Sequence, residues 1–111
     1  MVDMPRLTPQ TVEVLRALLS QPATPRWGRD IGQEVGLKSG TLHPILARLE
    51  RAGVVESFWE LPDEHENQGR PRRRYYRFTA GGAQAAHLAI AEESRRNRTL
   101  LPSRSYPQLG Y

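Results

Sequence analysis

The apolar positions near the start of the chain recur every three or four residues, which is the period of a helix with one buried side. Thr8 and Pro9 precede the first of them, and a hydroxyl residue followed by proline is a common helix start. We therefore predict a first helix of about three turns after residue 8. Its buried stripe is expected to contain Val12, Leu15, Leu18 and Leu19.

A second helical pattern begins after Pro25, where Trp27, Ile31 and Val35 share one face at four-residue steps. The glycines at positions 28 and 32 weaken such a helix, because each costs about 0.8 to 1 kcal/mol relative to alanine. Close packing against a neighbouring element would explain why both are present.

A third helix is expected almost directly after the second. Gly36 is a suitable left-handed terminator and Ser39 a suitable cap, which leaves only three or four residues between the two helices. Helices joined this closely cross steeply, as in a helix-turn-helix motif. The third helix should bury Leu42, Ile45, Leu46 and Leu49 and present Gly40, Pro44, Ala47 and Arg51, flanked by His43 and Arg48, on its opposite side.

Two segments after Gly53 favour strands, residues 54–61 and residues 75–78. A polar connection from Pro62 to Arg74, acidic first and basic later, joins them into a hairpin. An alanine-rich last helix capped by Thr79 should then run from residue 80 to about residue 101. The predicted fold class is thus mainly α with a small β-hairpin (α+β), in the order three helices, strand, loop, strand and fourth helix.

The positive charge of the chain is concentrated in one place. The formal net charge of the 111 residues is only +4, but all except one of the 16 Lys and Arg residues are arginine. A guanidinium presents a planar fork of donors that suits phosphate oxygens and guanine edges, so a polyanion is the expected partner. Five arginines lie within eight residues that contain no carboxylate: Arg70, Arg72, Arg73, Arg74 and Arg77.

Composition excludes several classes of protein. The sequence has no cysteine, so a disulfide framework and thiolate chemistry are ruled out. The first residues lack the layout of a secretory signal, and no apolar run reaches membrane-spanning length, so we expect a soluble cytoplasmic protein with no membrane partner.

An enzyme is not expected, although a few residues are of catalytic types. Glu64, His65 and Glu66 could imitate a metal site, and His43, His65 or His87 could act as a general base. Adjacent residues on one loop do not converge easily on an ion, and no nucleophile has a base at motif spacing. We predict no catalytic residues, no metal and no cofactor.

Three segments taken together resemble the PadR-like transcriptional regulators. They are residues 27–31, the Ser-Gly-Thr-Leu-His-Pro-Ile-Leu run of residues 39–46 and the Gly-Arg-Pro-Arg-Arg-Arg-Tyr-Tyr-Arg-Phe-Thr run of residues 69–79. The resemblance extends over about residues 8–90 in order and spacing, and the single last helix is like that of the short branch of the family. It implies a winged helix-turn-helix domain, a homodimer built through the first and last helices, and repression by operator binding, often relieved by a small aromatic or drug-like ligand.

The expected domain organisation follows from the resemblance and from the pattern above. Residues 1–7 would be a flexible start, 8–79 the winged helix-turn-helix DNA-binding domain, 80–101 a dimerisation helix and 102–111 a flexible tail. Two such units on a two-fold axis would require a palindromic operator with half-sites about 34 to 36 Å apart. The expected dimer residues are Leu15, Leu18, Leu19, Ala83, Ala86, His87 and Ile90.

The predicted DNA contacts belong to the third helix and to the arginine-rich loop, or wing. Free N–H groups at a helix start favour phosphates, and outward side chains read bases. On the helix we expect Lys38, Ser39, Gly40, Thr41, His43, Pro44 and Arg48 to contact DNA, and on the wing Arg70, Arg72, Arg73 and Arg74.

Each of these assignments has a plainer alternative. An arginine cluster is often only a solvated face, His43 could simply be exposed, and Trp27 and Trp59 are expected to be core or dimer-seam aromatics rather than stacking platforms. A winged helix that docks a protein instead of DNA is the alternative function. Salt separates the two, because binding through six to ten phosphates should weaken about a thousandfold or more between roughly 50 and 200 mM salt.

Overall fold

The arrangement of helices and strands positions one helix and one hairpin on a common surface. The computed structural model describes residues 2–63 and 68–100. Its elements are helix α1 (Pro9–Leu19), strand β1 (Arg26–Trp27), helices α2 (Gly28–Val35) and α3 (Ser39–Arg51), strands β2 (Val55–Trp59) and β3 (Arg74–Phe78), and helix α4 (Gly82–Leu100). The strands form one antiparallel sheet in the order β1-β3-β2, so the predicted class is confirmed.

The predicted order lacks one strand. Arg26 and Trp27 are not the first turn of α2, as the helical spacing suggested, but an edge strand whose Cα partners are Tyr76 and Tyr75. Long-range pairing with β3 outweighs the local pattern here. Arg26 is also tied down, since Nη1 donates to the carbonyl of Ala17 at 2.9 Å.

Helix α1 begins as predicted, and the glycines of α2 have the expected role. Thr8 caps α1 by accepting a hydrogen bond from the Thr11 N–H at 3.1 Å. Gly36 ends α2 in the left-handed conformation, with φ 74°. A Cβ on Gly32 would lie 3.0 Å from the carbonyl oxygen of Leu37, so the tight passage from α2 to α3 depends on glycine.

One hydrophobic core lies between the helices and the sheet. It is built from apolar residues of α1, α2, α3, β2, β3 and α4. A few partly buried apolar residues extend it at the rim. The buried members are Val14, Leu15, Ala17, Leu18, Ile31, Leu42, Ile45, Leu46, Leu49, Val54, Val55, Tyr76 and Ala86.

Helix α4 starts two residues later than predicted and without the predicted cap. The hydroxyl of Thr79 donates to the carbonyl of Gly53 at 2.5 Å instead of capping the helix. Gly81 has φ 82°, and a Cβ on Gly82 would collide with the carbonyl oxygen of Val54. The helix can therefore approach the start of β2 only through glycine.

The residues before α1 lie against the body of the protein. The Asp3 N–H donates to the carbonyl of Ala52 at 2.8 Å. Val2, Met4 and Leu7 pack onto the core. The alternation of these apolar residues with polar neighbours could have indicated this packing, but the segment is too short for a pattern to be recognised in the sequence. Within the described residues, no helix has both the length and the apolar character that crossing a bilayer requires.

Candidate nucleic-acid interface

Helix α3 presents a bare side to solvent. Leu42, Ile45, Leu46 and Leu49 are at most 3% exposed and seat the helix on the core. The helix positions predicted to contact DNA lie on the opposite side. All of the following are exposed: Lys38, Ser39, Gly40, Thr41, His43, Pro44, Ala47, Arg48 and Arg51.

The amino end of α3 is not capped by Ser39, so that prediction was wrong. Lys38 occupies the cap position in extended conformation, and no side chain caps the helix there. The Lys38 carbonyl instead accepts the N–H groups of Thr41 at 3.0 Å and Leu42 at 2.9 Å. The first N–H groups of the helix are thus left facing outward beside a lysine, an arrangement that attracts anions.

Pro44 lies inside α3, within reach of this end. Proline has no N–H for the carbonyl of Gly40 and fixes its own φ. The hydrogen bond from Thr41 to Lys38 spans three residues, as in a tightened first turn. The outward side at this end therefore consists of small or stiff groups close to a rigid backbone.

In the structure the wing is the hairpin formed by β2, β3 and the arginine-rich loop between them. It has two faces because side chains alternate along its strands. In β2 and β3, Ser57 pairs with Tyr76 and Trp59 with Arg74, and these four lie on the face toward α3. The opposite face carries Phe58 and Tyr75, whose rings stack with centroids 5.9 Å apart. Trp27 of β1 pairs with Tyr75 and extends this outer face.

A buried carboxylate closes the base of the wing. The Glu60 side chain is 2% exposed, and it accepts hydrogen bonds from Arg70 Nη1 at 2.5 Å and Arg70 Nη2 at 2.9 Å. The N–H of Arg73 donates to the same carboxylate at 3.0 Å. The Arg70 guanidinium lowers the pKa of Glu60, with the Arg73 N–H acting in the same direction. The sequence analysis did not identify Glu60 as a structural residue. The one indication was that its carboxylate stands between two large apolar residues, Trp59 and Leu61, in the predicted strand.

The predicted wing arginines are held in different ways. Arg70 faces Glu60, as above, and Arg73 lies on the outer face with its guanidinium 4.0 Å from the ring centroid of Trp27. Arg77 pairs with Glu56 at 2.7 Å, also on the outer face. The α3 side of the wing keeps two arginines of the predicted set, Arg72 and Arg74.

Arg72 and Arg74 share one aromatic ring. Their guanidinium carbons lie 5.6 and 5.0 Å from the ring centroid of Trp59. Arg74 Nη2 also donates to the Ser57 hydroxyl at 2.7 Å, and that hydroxyl donates to Glu50 of α3 at 2.7 Å. Trp59 is 50% exposed, so it is not a core aromatic of this chain, and the alternative that it lies in a dimer seam stays a prediction.

An open groove of about 760 Å³ separates the amino end of α3 from the wing. Lys38, Ser39 and His43 lie on one side of it, and Arg72 and Arg74 on the other. The groove thus brings residues from both predicted DNA-contact sets to one concave surface. Its floor includes Leu42 and Tyr76, and burial raises the pKa of the Tyr76 hydroxyl.

Some of the residues predicted for the dimer interface are buried within the chain, and others are accessible at its surface. Leu15, Leu18 and Ala86 are buried in the core of the chain itself, so they offer no surface to a second copy. Leu88, which is not in the predicted set, is 63% exposed. Of the other residues in the predicted set, Leu19, Ala83 and Ile90 are half-buried and His87 is exposed.

Two sequence hypotheses fall on residues outside the described ranges. Glu64, His65 and Glu66 lie there, as does the predicted tail of residues 102–111. Across residues 2–63 and 68–100, no group of three or more His, Asp or Glu side chains is placed to hold a metal ion.

Comparison with known proteins gives the same fold. The PcaV transcriptional regulator from Streptomyces coelicolor, solved in complex with its natural ligand, is 26% identical, with a TM-score of 0.59 over 95% of this chain and 70% of that chain. MepR of S. aureus in a DNA-binding conformation is 17% identical, with a TM-score of 0.62 over 89% of this chain and 69% of that chain. A PadR family transcription regulator from hypervirulent Clostridium difficile is 21% identical, with a TM-score of 0.60 over 80% and 93% of the two chains.

The family is established by sequence. No curated protein matches the chain. The model of the transcriptional regulator PadR-like family, however, matches residues 18–88, well over half of the chain. Members of this family regulate transcription and are not enzymes. The family match over residues 18–88, with which the fold agrees, therefore shows that this protein belongs to the PadR-like family of transcriptional regulators.

Proposed function

We propose that this regulator binds double-stranded DNA sequence-specifically as a homodimer and represses transcription from a palindromic operator. One observation carries the proposal: the amino end of α3 and the Arg72–Arg74 pair face each other across the same groove. A helix start and a pair of cations on opposite sides of a groove form a track for one sugar-phosphate strand. The helix would then enter the major groove and the wing the adjacent minor groove.

Phosphate contacts fix the position of the protein on the duplex. Lys38 and the outward N–H groups at the start of α3 would bind phosphates on one side of the groove. Arg72 and Arg74 would bind them on the other side. Arg70 and Arg73 are not proposed to contact DNA directly. Arg70 faces the buried carboxylate of Glu60, and Arg73 lies on the outer face of the sheet.

Base reading falls to the outward residues of α3. The Thr41 hydroxyl and the His43 ring can hydrogen-bond to base edges, and Pro44 and Ala47 can touch thymine methyl groups. Arg48 lies one turn further along and suits a guanine edge or a phosphate. Occupation of a promoter by such a protein represses transcription by excluding the polymerase.

The dimer surface we propose lies on α4. Leu88 exposes 63% of its surface there, and His87 beside it is also exposed. Leu19, Ala83 and Ile90 are half-buried and could complete their burial against a partner. Substituting Leu88→Lys should convert a species of about twice 12.6 kDa into a monomer in sedimentation, whereas Gln33→Lys on an exposed position of α2 should not. A parent protein of 12.6 kDa at micromolar concentration would contradict the dimer.

A small aromatic effector fits the same groove. Its lining includes the aromatic residues Trp59 and Tyr76 together with cationic side chains. A planar ligand there would compete with the DNA strand for one surface. The solved PcaV structure contains a natural ligand, which supports testing for one here. Displacement of labelled duplex by 4-hydroxybenzoate, but not by glycerol, would support this proposal.

Selection of bound sequences from random duplex tests the DNA function directly. A palindromic consensus would support specific binding by a dimer. The affinity measured at about 200 mM salt should be about a thousandfold lower than the affinity measured at about 50 mM salt. If no sequence is enriched, or if binding to a partner protein is the only interaction and is insensitive to salt, the DNA-binding proposal is wrong.

A further inference from the structure

We propose that Trp59 is a positioning residue for DNA binding. Its indole ring holds the guanidinium groups of Arg72 and Arg74 on the groove side of the wing, so that both cations reach the DNA backbone already arranged as a pair. This inference rests on the proposed function and adds to it a residue that the sequence did not suggest for this role.

The place of Trp59 in the fold supports this role. It is the last residue of β2, and half of its surface is exposed, so filling the core does not account for it. Its Cα partner in β3 is Arg74, and directly opposite residues lie on the same face. Arg72 lies two positions before Arg74 and thus points to the same side. The guanidinium carbons lie 5.6 and 5.0 Å from the ring centroid, within cation–π range.

Two other wing arginines show what this ring supplies. Arg70 pairs with the carboxylate of Glu60 and Arg77 with that of Glu56, and a carboxylate cancels the charge that it orients. A π face orients a guanidinium without cancelling its charge. Arg72 has no ion pair within the described part of the chain and donates only to a backbone oxygen, that of Glu60, at 3.2 Å.

Arg74 is held at a second point as well. The Ser57 hydroxyl accepts from Arg74 Nη2 at 2.7 Å, while the nearest carboxylate oxygen, that of Glu50, is 3.9 Å away. Arg74 therefore keeps most of its charge available, and its direction is fixed by a hydroxyl and a ring. Fixing two long side chains before binding removes part of the ordering cost that binding would otherwise carry.

A double-mutant cycle measures this positioning. Each exposed cation–π pair corresponds to about a twofold to fivefold change in an equilibrium constant, so Trp59→Leu should weaken duplex binding about tenfold. Trp59→Phe keeps a π face and should stay within about threefold of the parent. In the background of Arg72→Ala with Arg74→Ala, Trp59→Leu should have no further effect.

A substitution on the outer face of the wing provides the control for this cycle. Phe58→Leu removes the ring under Arg77 on the outer face and should leave duplex binding unchanged. If Trp59→Leu weakens binding by the same factor with and without the two arginines, Trp59 acts on its own and the positioning role is overturned. A parent protein that binds no duplex would instead overturn the proposed function.

A measurement on the parent protein removes any dependence on how the variants fold. Protons on the arginine side chains that lie over an indole ring resonate upfield because of its ring current. We expect this shift for Arg72 and Arg74 in the free protein, and its loss in Trp59→Leu. Shifts typical of freely exposed arginine in the parent would overturn the inference whatever the binding data show.

Discussion

Helix α3 and the wing border the same groove but are built in opposite ways. The helix is held from behind by apolar side chains and presents short or stiff groups, such as Thr41 and Pro44, on a regular backbone. The wing presents long arginines that are oriented by side-chain partners: a ring, a hydroxyl or a carboxylate. Rigidity comes from the backbone in one region and from side-chain contacts in the other.

The difference assigns separate tasks to the two regions. Short groups on a fixed helix can discriminate between base edges, because a small displacement breaks their hydrogen bonds. Long cations suit phosphates, which recur along every sequence and carry no identity. We therefore expect wing substitutions to change affinity for all DNA, and helix substitutions to change the preference among sequences.

The largest effect should come from removing both groove-side cations of the wing. Arg72→Ala combined with Arg74→Ala should weaken binding to operator and random duplex alike by at least about a hundredfold, since each hydrogen bond to a charged group contributes roughly 1.5 to 3 kcal/mol. The slope of log K against log salt should become shallower by about 0.9 for each phosphate that the variant no longer binds. Fluorescence anisotropy over a salt series measures both quantities.

Arg77→Ala is the matched control for that experiment. It removes the same kind of charge from the same strand, but on the outer face, where Arg77 is paired with Glu56. Its affinity and salt slope should remain close to those of the parent. If the double variant binds random duplex as tightly as the parent, the wing does not contact the backbone and the contrast between the two regions fails.

An intermediate effect should come from the helix, and it should be selective. Thr41→Ala or His43→Ala should reduce the ratio of operator to random-duplex affinity by about tenfold, within the 1 to 3 kcal/mol that a good base contact supplies. Binding to random duplex and its salt slope should hardly change. Thr24→Ala, in the exposed turn before β1, should alter neither quantity. Equal decreases in affinity for operator and random duplex would show that these residues bind phosphate rather than bases.

The sequence predicted the region governed by local periodicity better than the region governed by pairing. The buried side of α3 and the turn at Gly36 follow from spacing and backbone preference, which are local properties. Strand β1 and the roles of Glu60 and Trp59 depend on residues far along the chain that meet only in the fold. Nothing near Trp59 in sequence shows that its ring faces two arginines.

The candidate site was predictable in outline for the same reason. Exposure of Lys38, Thr41 and His43 follows from their places on α3. The five wing arginines look alike in sequence, and only the alternation of the paired strands separates the two that face the groove from those on the outer face or at Glu60. The Ser39 cap failed because the chain enters α3 with Lys38 in the cap position, a matter of backbone geometry that either residue type permits.

The smallest change expected at neutral pH concerns the base of the wing. Glu60→Gln keeps the shape of the side chain and an oxygen that can accept from the Arg73 N–H, but it loses the charge that holds Arg70. The Arg70 guanidinium lowers the pKa of Glu60 in the folded protein below the ordinary value of 4.5. A lowered folded pKa means that this carboxylate stabilises the fold above its ordinary pKa and that the stabilisation is lost as the pH falls through the folded value.

The melting temperature of Glu60→Gln should therefore lie below that of the parent at pH 7, and the gap should close as the pH drops below about 4.5. Glu56→Gln is the matched control, because its pair with Arg77 is about half exposed and such pairs contribute little. It should follow the parent curve closely at every pH. If the gap for Glu60→Gln stays constant into acid, the charge of Glu60 does not fasten the wing, and the arginines of that region are oriented by strand pairing and aromatic contacts alone.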